Sequence, residues 1–225
     1  LFNLDGELVG ITTTVSTIAG HEQAAGYAIP MNQAFRRVVQ ALRQGREVEY
    51  GLLGISFSPN ARATAAGGQL AMEVQHAYAG GPADKAGITR QDIITAIDDI
   101  PITSPDALQL VVGRRAPSSE AVVKFERSGK PQTTKVKLAK LYVVGEKVIT
   151  KPQPAWRGMR VDHATAVTPQ QLALASQQGL LDPDGCVVVS DVEPGSVSWK
   201  QDVRPGMFIS HVGDTRVSTP EEFWD

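Results

Sequence analysis

Ala79-Gly80-Gly81-Pro82-Ala83, followed by Ala86-Gly87-Ile88 and then Asp92-Ile93-Ile94, is the stretch that organises the rest of the chain, because it returns in altered form 115 residues later. At that offset Val74 falls on Val189, Gly80 on Gly195, Lys85 on Lys200, Ile94 on Ile209 and Pro105 on Pro220. Apolar positions coincide as well: Ile88 with Val203, Ile93 with Phe208, Ile97 with Val212, Ile102 with Val217 and Leu108 with Phe223. Agreement of pattern over about thirty ungapped positions indicates a duplicated module. Upstream, Leu52-Leu53-Gly54-Ile55 corresponds to Trp156-Arg157-Gly158-Met159 at an offset of 104. The second copy therefore holds 11 more residues than the first, 115 less 104, expected in the polar helical stretch 169–178. Its last residue, Asp225, corresponds to position 110, so counterparts of Val111 through Leu141 are missing and the second module is expected to be incomplete.

The composition suits short elements. With 42% hydrophobic and 20% charged residues, the 225-residue chain can bury a core and is not of the disordered class. Its 22 basic and 24 acidic residues leave a net charge of −2 without a block of either sign, which argues against a nucleic-acid or membrane-surface footprint. Twenty-one glycines and 14 prolines predict many turns, so the expected class is mainly β with short helices, a β-rich α+β fold. Cys186 is the only cysteine, which excludes an intrachain disulfide and a cysteine-built zinc site. No apolar run reaches the roughly 18 residues of a membrane span. The first residue is Leu1, not Met, so a processed chain or a piece of a longer one is expected.

Local signals fill in the elements. Asp5-Gly6 between two apolar runs predicts a hairpin with a two-residue turn. A polar loop through His21-Glu22-Gln23 leads to a strand, Gly26-Tyr27-Ala28-Ile29, stopped by Pro30. Phe35, Val38, Val39 and Leu42 fall at helical spacing and Gly45 ends that helix. Ser128-Gly129 joins two strands as a second hairpin, Leu108, Val111 and Val112 stripe a short helix after Pro105, and residues 145–154, with Pro152 and Pro154, read as a linker.

Chemistry of one kind stands out. The N–H groups of Leu53-Gly54-Ile55 can converge on a carboxylate, since Gly54 allows close backbone approach. The strand that follows, Ile55-Ser56-Phe57, can add a peptide strand at its edge, with Leu108, Val111 and Val112 as the apolar far wall. These residues resemble the binding loop and groove of a PDZ domain, and the stretch 79–94 resembles the signature of that family. The second copy resembles it at Val192-Glu193-Pro194-Gly195-Ser196 and at Arg204-Pro205-Gly206-Met207-Phe208-Ile209, and departs at Gln201-Asp202, where Ala-Gly is usual.

Other candidates are weak. His21, His76, His163 and His211 are scattered without metal-ligand spacing, so neither metal nor cofactor is expected. Ser196 sits in a turn, Asp98-Asp99 and Asp182/Asp184 lie beside turn residues as solvated loops, and Cys186 opens an apolar strand as a buried thiol. Trp156, Trp199 and Trp224 read as core or rim packing.

Leu1-Phe2-Asn3-Leu4-Asp5-Gly6-Glu7-Leu8-Val9-Gly10-Ile11 resembles the segment after the nucleophile motif of the HtrA/DegP family, trypsin-like serine proteases with one or two PDZ domains. Ala25-Gly26-Tyr27-Ala28-Ile29-Pro30-Met31-Asn32 resembles the strand walling that family's substrate pocket, with Ala24-Ala25 a departure from its usual residues. The resemblance covers nearly the whole chain. It implies the C-terminal remnant of a trypsin-like β-barrel over 1–48, a PDZ domain over 49–142, a linker over 143–155 and a shortened PDZ domain over 156–225. Gly26, Tyr27 and Ile29 would shape the pocket for small apolar side chains, and the Ser-His-Asp triad would lie upstream of Leu1, leaving the isolated chain inactive. What the resemblance implies for function is an envelope or periplasmic endopeptidase of protein quality control. Its PDZ grooves would bind C-termini or apolar segments of misfolded proteins, and the full-length protein would form trimer-based oligomers. The alternative is a non-catalytic tandem-PDZ adaptor.

Overall fold

The computed structural model describes residues 1–17, 24–63 and 70–224, so the loop through His21-Glu22-Gln23 lies outside the described residues. The chain forms two compact units, residues 1–48 with 147–152, and residues 49–146 with 153–225.

In the first unit, β1 (Gly10–Thr17) pairs antiparallel with β2 (Ala24–Pro30), and α1 (Gln33–Arg43) follows. The Asn32 side chain accepts from the Phe35 N–H at 3.0 Å to start the helix. Gly45, at φ +71°, ends it. The opening turn differs from the two-residue form expected. Gly6 alone has positive φ (+78°), its N–H donates to the Asn3 carbonyl at 3.1 Å, and the Asn3 N–H donates to the Glu7 carbonyl at 3.0 Å. This makes Leu4-Asp5-Gly6 a three-residue connection, and Phe2 with Leu8 forms a single bridge. The cause is Asn3, whose side-chain oxygen accepts from the Asp5 and Glu7 N–H groups at 3.1 and 2.8 Å. Strand β2 also runs through Pro30, which pairs with Gly10 at its end. The expected linker forms no strand or helix, but part of it is tied down: Thr150 and Lys151 N–H both donate to the Gly45 carbonyl (3.0 and 2.9 Å), and Lys147 pairs with Glu47 at 3.0 Å.

The second unit holds two related sub-structures. The first comprises β3 (Gly51–Leu52), β4 (Ile55–Ala63), β5 (Leu70–Ala77), α2 (Pro82–Lys85), β6 (Ile93–Ile97), β7 (Ile100–Pro101), α3 (Pro105–Gly113), β8 (Glu120–Arg127), β9 (Lys130–Lys137) and β10 (Ala139–Lys140). Its main sheet runs β4-β5-β6-β8-β9, with β7 on β6, while β3 pairs with β10. Ile88, Ile94, Ile97, Ile102, Val123 and Val136 are fully buried at its centre. Ser128 and Gly129, at φ +50° and +77°, make the β8–β9 turn that two positive φ values require. Asp98 is more than a solvated loop residue: it accepts from the Val122 N–H at 2.9 Å and pairs with Arg115.

The second sub-structure comprises β11 (Met159–His163), α4 (Pro169–Gln177), β12 (Val187–Val192), α5 (Val197–Lys200), β13 (Phe208–Ile209), β14 (His211–Val212), β15 (Thr215–Arg216) and α6 (Pro220–Trp224). Strands β11, β12 and β13 form one sheet. The duplication is written in the backbone. The Val74 N–H donates to the Asp92 carbonyl and Val189 to Met207, both at 2.8 Å; Gln91 donates to Val74 and Gly206 to Val189, again at 2.8 Å. Ile88 to Ala83 (2.9 Å) recurs as Val203 to Ser198 (3.1 Å), and Ile102 to Thr95 (3.0 Å) as Val217 to Ser210 (2.9 Å). Asp202, at the departure from Ala-Gly, takes the left-handed φ of Gly87, +59° against +78°, a conformation Asp tolerates better than most residues. Helix α4 sits where the surplus residues were expected, capped by Thr168 and Gln171. Asp182 and Asp184 are held by Arg216 at 2.8 and 3.5 Å, and Cys186 is buried just before β12, its thiol pushed up by burial.

Candidate functional site

The loop Leu52-Leu53-Gly54-Ile55 is anchored from behind through its carbonyls. The Ala83 N–H donates to the Leu53 carbonyl and the Tyr78 N–H to the Gly54 carbonyl, both at 3.0 Å. In a trans peptide the N–H points opposite to the carbonyl of the same plane. The N–H groups of Gly54 and Ile55 are therefore turned away from the segment 78–83 that holds the carbonyls. Among the described residues, the Leu53 and Gly54 N–H groups donate to no backbone carbonyl. Gly54 has φ +75°, and a Cβ there would lie 3.1 Å from Pro82 Cδ, so the position requires glycine for both conformation and space.

Strand β4 leaves this loop as the edge of its sheet, with its second side unpaired among the described residues. Ile55 and Phe57 on β4, and Leu108 and Val111 on α3, are half-buried and pack against the same core. Leu53 and Val112, at 2% and 3% exposure, belong to the core itself. Val112 thus supports the helix from beneath, while Leu108 and Val111 retain accessible surface. Helix α3 is started by the Ser104 hydroxyl, which accepts from the Ala107 N–H at 3.1 Å. Elsewhere in this sub-structure, Arg127 grips the buried Asp92 carboxylate with two bonds of 2.7 Å and the Gly87 carbonyl with one of 2.6 Å.

The corresponding loop of the second copy keeps the anchors and changes the receptor face. Ser198 and Glu193 donate to the Arg157 and Gly158 carbonyls at 3.1 and 2.7 Å. Trp156 and Met159 then close on each other, N–H to carbonyl in both directions, at 2.8 and 2.9 Å, so the Met159 N–H is already committed. Arg157 takes the place of Leu53 and lies over the Trp156 ring, which meets Phe223 of α6 edge-on. Trp199 is likewise covered by Arg204, and Phe223 meets Trp224 edge-on, so the tryptophans pack at the rim.

In the first unit Gly26, Tyr27 and Ile29 lie on β2, opposite Val15, Thr14 and Ile11. Tyr27 and Ile29 are exposed, and a Cβ at Gly26 would meet nothing within 4 Å. Among the described residues, no group of three metal-ligating side chains comes together and no helix is long and apolar enough to cross a membrane.

One cluster was not anticipated from the sequence. Lys140, at 3% side-chain exposure, donates to Glu49 at 2.9 Å and to both Asp162 oxygens at 2.9 and 2.8 Å. Burial works against its charge, but Asp162 and then Glu49 outweigh it and hold the ammonium above the ordinary lysine range. Next to it His163 is buried, and burial pushes its imidazole down against the pull of Asp162 and Glu49. The available signal was a lysine following Leu138-Ala139 at the close of an alternating strand.

The sequence pattern of the PDZ domain family matches residues 51–138. A periplasmic serine endoprotease DegP-like protein of Chlamydia pneumoniae is 30% identical over 226 residues, covering 99% of this chain and 44% of that protein. A protein of the same name from Rhizobium meliloti (strain 1021) is 31% identical over 231 residues, covering 98% of this chain and 44% of the relative. The chain thus spans less than half the length of these curated relatives. Among solved structures, the HtrA-type protease AlgW with decapeptide is similar at 23% identity and a TM-score of 0.42, over 66% of this chain and 44% of that one. The chain matches the DegP-like serine endoproteases along almost its whole length, and residues 51–138 of it match the PDZ domain family.

Proposed function

We propose that this chain is the C-terminal, substrate-capturing part of a DegP-like serine endopeptidase of the periplasm. Its first PDZ module takes the free C-termini or exposed apolar segments of misfolded proteins. The observation that carries this reading is the loop at Gly54: carbonyls bound from behind, N–H groups turned outward, and the free edge of β4 leading away from it. A peptide carboxylate suits the N–H groups, the β4 edge suits a peptide strand, and Ile55, Phe57, Leu108 and Val111 suit apolar side chains. Val112 contributes by holding α3 in place.

In this reading the chain divides into a protease-barrel remnant (1–48), a PDZ module (49–142), a linker (143–155) and a second PDZ-like module (156–225). Gly26, Tyr27 and Ile29 contribute to the protease's substrate pocket once the rest of the barrel covers their exposed faces. The triad belongs to the portion upstream of Leu1, where histidine deprotonates serine, aspartate orients histidine and backbone N–H groups hold the oxyanion. The full-length protein assembles through its protease domains into trimer-based oligomers. A tandem-PDZ adaptor without a protease is disfavoured by the end-to-end match to endoproteases.

The test has two arms. The codons upstream of Leu1 are read for a serine in a G-x-S-G-G-like run with histidine and aspartate farther back; their absence removes the protease reading. The 225-residue chain is titrated with an apolar peptide as free acid and as C-terminal amide. The acid binds and the amide binds more weakly; equal affinity removes the carboxylate-loop reading.

A further inference from the structure

The segment joining β10 to β11 contains no strand or helix, so the orientation of the second module on the first is set by what the two touch. At that junction lies the buried cluster of Lys140, Glu49 and Asp162. Lys140 belongs to β10, in register with Gly51 of β3, and Asp162 belongs to β11, in register with Val188 of β12. Each partner is thus fixed within its own sheet. The lysine's three N–H groups meet three carboxylate oxygens: one from Glu49 and two from Asp162, at 2.8 to 2.9 Å. A second tie runs beside the first, the Thr165 hydroxyl donating to the Lys140 carbonyl at 2.7 Å. The Asp162 carboxylate is held in turn by the His163 N–H at 2.8 Å.

Lysine is rarely buried to this degree unless paired. A buried ion pair adds little net stability over an apolar filling, but separating it strands a charge away from water, so it penalises every relative position except one. Three directional bonds to one ammonium make that penalty steep, because a tilt between the sheets lengthens at least one of them.

We infer that Lys140 is an inter-module lock, which holds the second module to the first in a single orientation so that the pair moves as one body. The lock acts whatever the groove at Gly54 binds.

The experiment uses the 225-residue chain with spin labels on Gln132→Cys in β9 and Asp214→Cys in the β14–β15 turn, both exposed; the buried Cys186 remains unlabelled under native conditions. Electron–electron distance measurement on this parent gives one narrow peak. Lys140→Met and Asp162→Asn each lose that peak to a broad distribution, with near-ultraviolet circular dichroism reporting that the modules remain folded. Arg216→Gln, which removes ion pairs with Asp182 and Asp184 inside the second module, keeps the peak. A broad distribution in the parent overturns the lock outright, independently of whether any variant folds. A narrow, unshifted peak in both Lys140→Met and Asp162→Asn overturns it as well.

Discussion

Replacing Gly54 by valine puts the peptide-receptor reading under its most direct strain. The native φ of +75° costs a residue with a side chain about 1–2 kcal/mol, and a β-branched residue fits there worse than alanine. The new Cβ would sit 3.1 Å from Pro82 Cδ and 3.7 Å from Pro82 N, and valine adds two methyl groups beyond it. Pro82 is the first residue of α2 and cannot yield by turning a side chain. The loop has two ways to respond. If it keeps its shape, the strain appears as lost stability and peptide affinity is unchanged. If it relaxes, the Leu53 and Gly54 carbonyls leave Ala83 and Tyr78, and the N–H groups no longer converge. Combined φ strain and overlap of roughly 2–3 kcal/mol equal or exceed the net value of the two backbone hydrogen bonds released, about 1 kcal/mol each, so relaxation wins. Charge-assisted bonds to a carboxylate contribute about 1.5–3 kcal/mol, which makes the expected loss of affinity roughly ten- to a hundredfold. Calorimetric titration of an apolar peptide as free acid and as amide reads this directly. Gly54→Val weakens the acid strongly and the amide little. Unchanged affinity for the acid, in a variant whose circular dichroism matches the parent, refutes the reasoning.

Three further outcomes follow from groups away from the loop. His163 has a folded-state pKa lowered by burial, so the native state holds fewer protons than the unfolded chain below the unfolded value of about 6.5. Its contribution is complete above that pH and declines as pH falls toward the folded pKa, by at most about 1.4 kcal/mol per pH unit; the urea midpoint therefore drops between pH 7.5 and 5.5, and drops less in His163→Gln. Arg127→Met leaves the Asp92 carboxylate, which is 1% exposed, without its cation and with Thr89 as its remaining donor among the described residues, and lowers the unfolding free energy by about 2–4 kcal/mol in denaturant titration; a midpoint within error of the parent contradicts this. Gly45→Ala meets both a positive φ and the close approach of Thr150 and Lys151, so residues 147–152 come away from α1, and limited trypsin digestion cuts after Lys147 faster than in the parent.

Features governed by local or periodic rules were legible in the sequence. The helix over 33–43 has its cap at Asn32 and its stop at Gly45, the Ser128-Gly129 turn requires two positive φ values, and the duplication shows as spacing of glycines and apolar residues. Features governed by competition among partners were not. Asp5-Gly6 carries a two-residue turn signal, but the Asn3 side chain captures two N–H groups and lengthens the connection to three residues. Leu108, Val111 and Val112 share one apolar stripe, yet at 100° per residue they span roughly 100° of helix surface, too wide for all three to face one groove. Val112 is the one turned inward. Trp156-Arg157-Gly158-Met159 aligns with the first loop, and no alignment of side chains reveals that its own termini bond to each other. Lys140 reads as a surface residue because its carboxylate partners lie 91 and 22 positions away.

Gly51 connects the groove to the lock. It lies in β3 immediately before the loop, it pairs with Lys140 of β10, and the C-terminal end of α3 closes over it. A Cβ at this position would be 2.7 Å from the Val112 carbonyl oxygen, 3.0 Å from Leu138 Cδ1 and 3.3 Å from the Arg115 carbonyl oxygen. The φ of Gly51 is not in the left-handed region, so Gly51→Ala acts through space alone. Two of the three obstacles are backbone atoms, which means that α3 or β3 has to shift by several tenths of an ångström. A shift of α3 moves Leu108 and Val111 relative to Phe57; a shift of β3 moves Lys140 relative to Asp162. Gly51→Ala is therefore expected to weaken the apolar peptide and to broaden the label distance between Gln132→Cys and Asp214→Cys, whereas Gly54→Val weakens the peptide and leaves the distance narrow. If Gly51→Ala changes neither readout in the folded protein, the packing of α3 and β10 around Gly51 does not govern the groove or the lock.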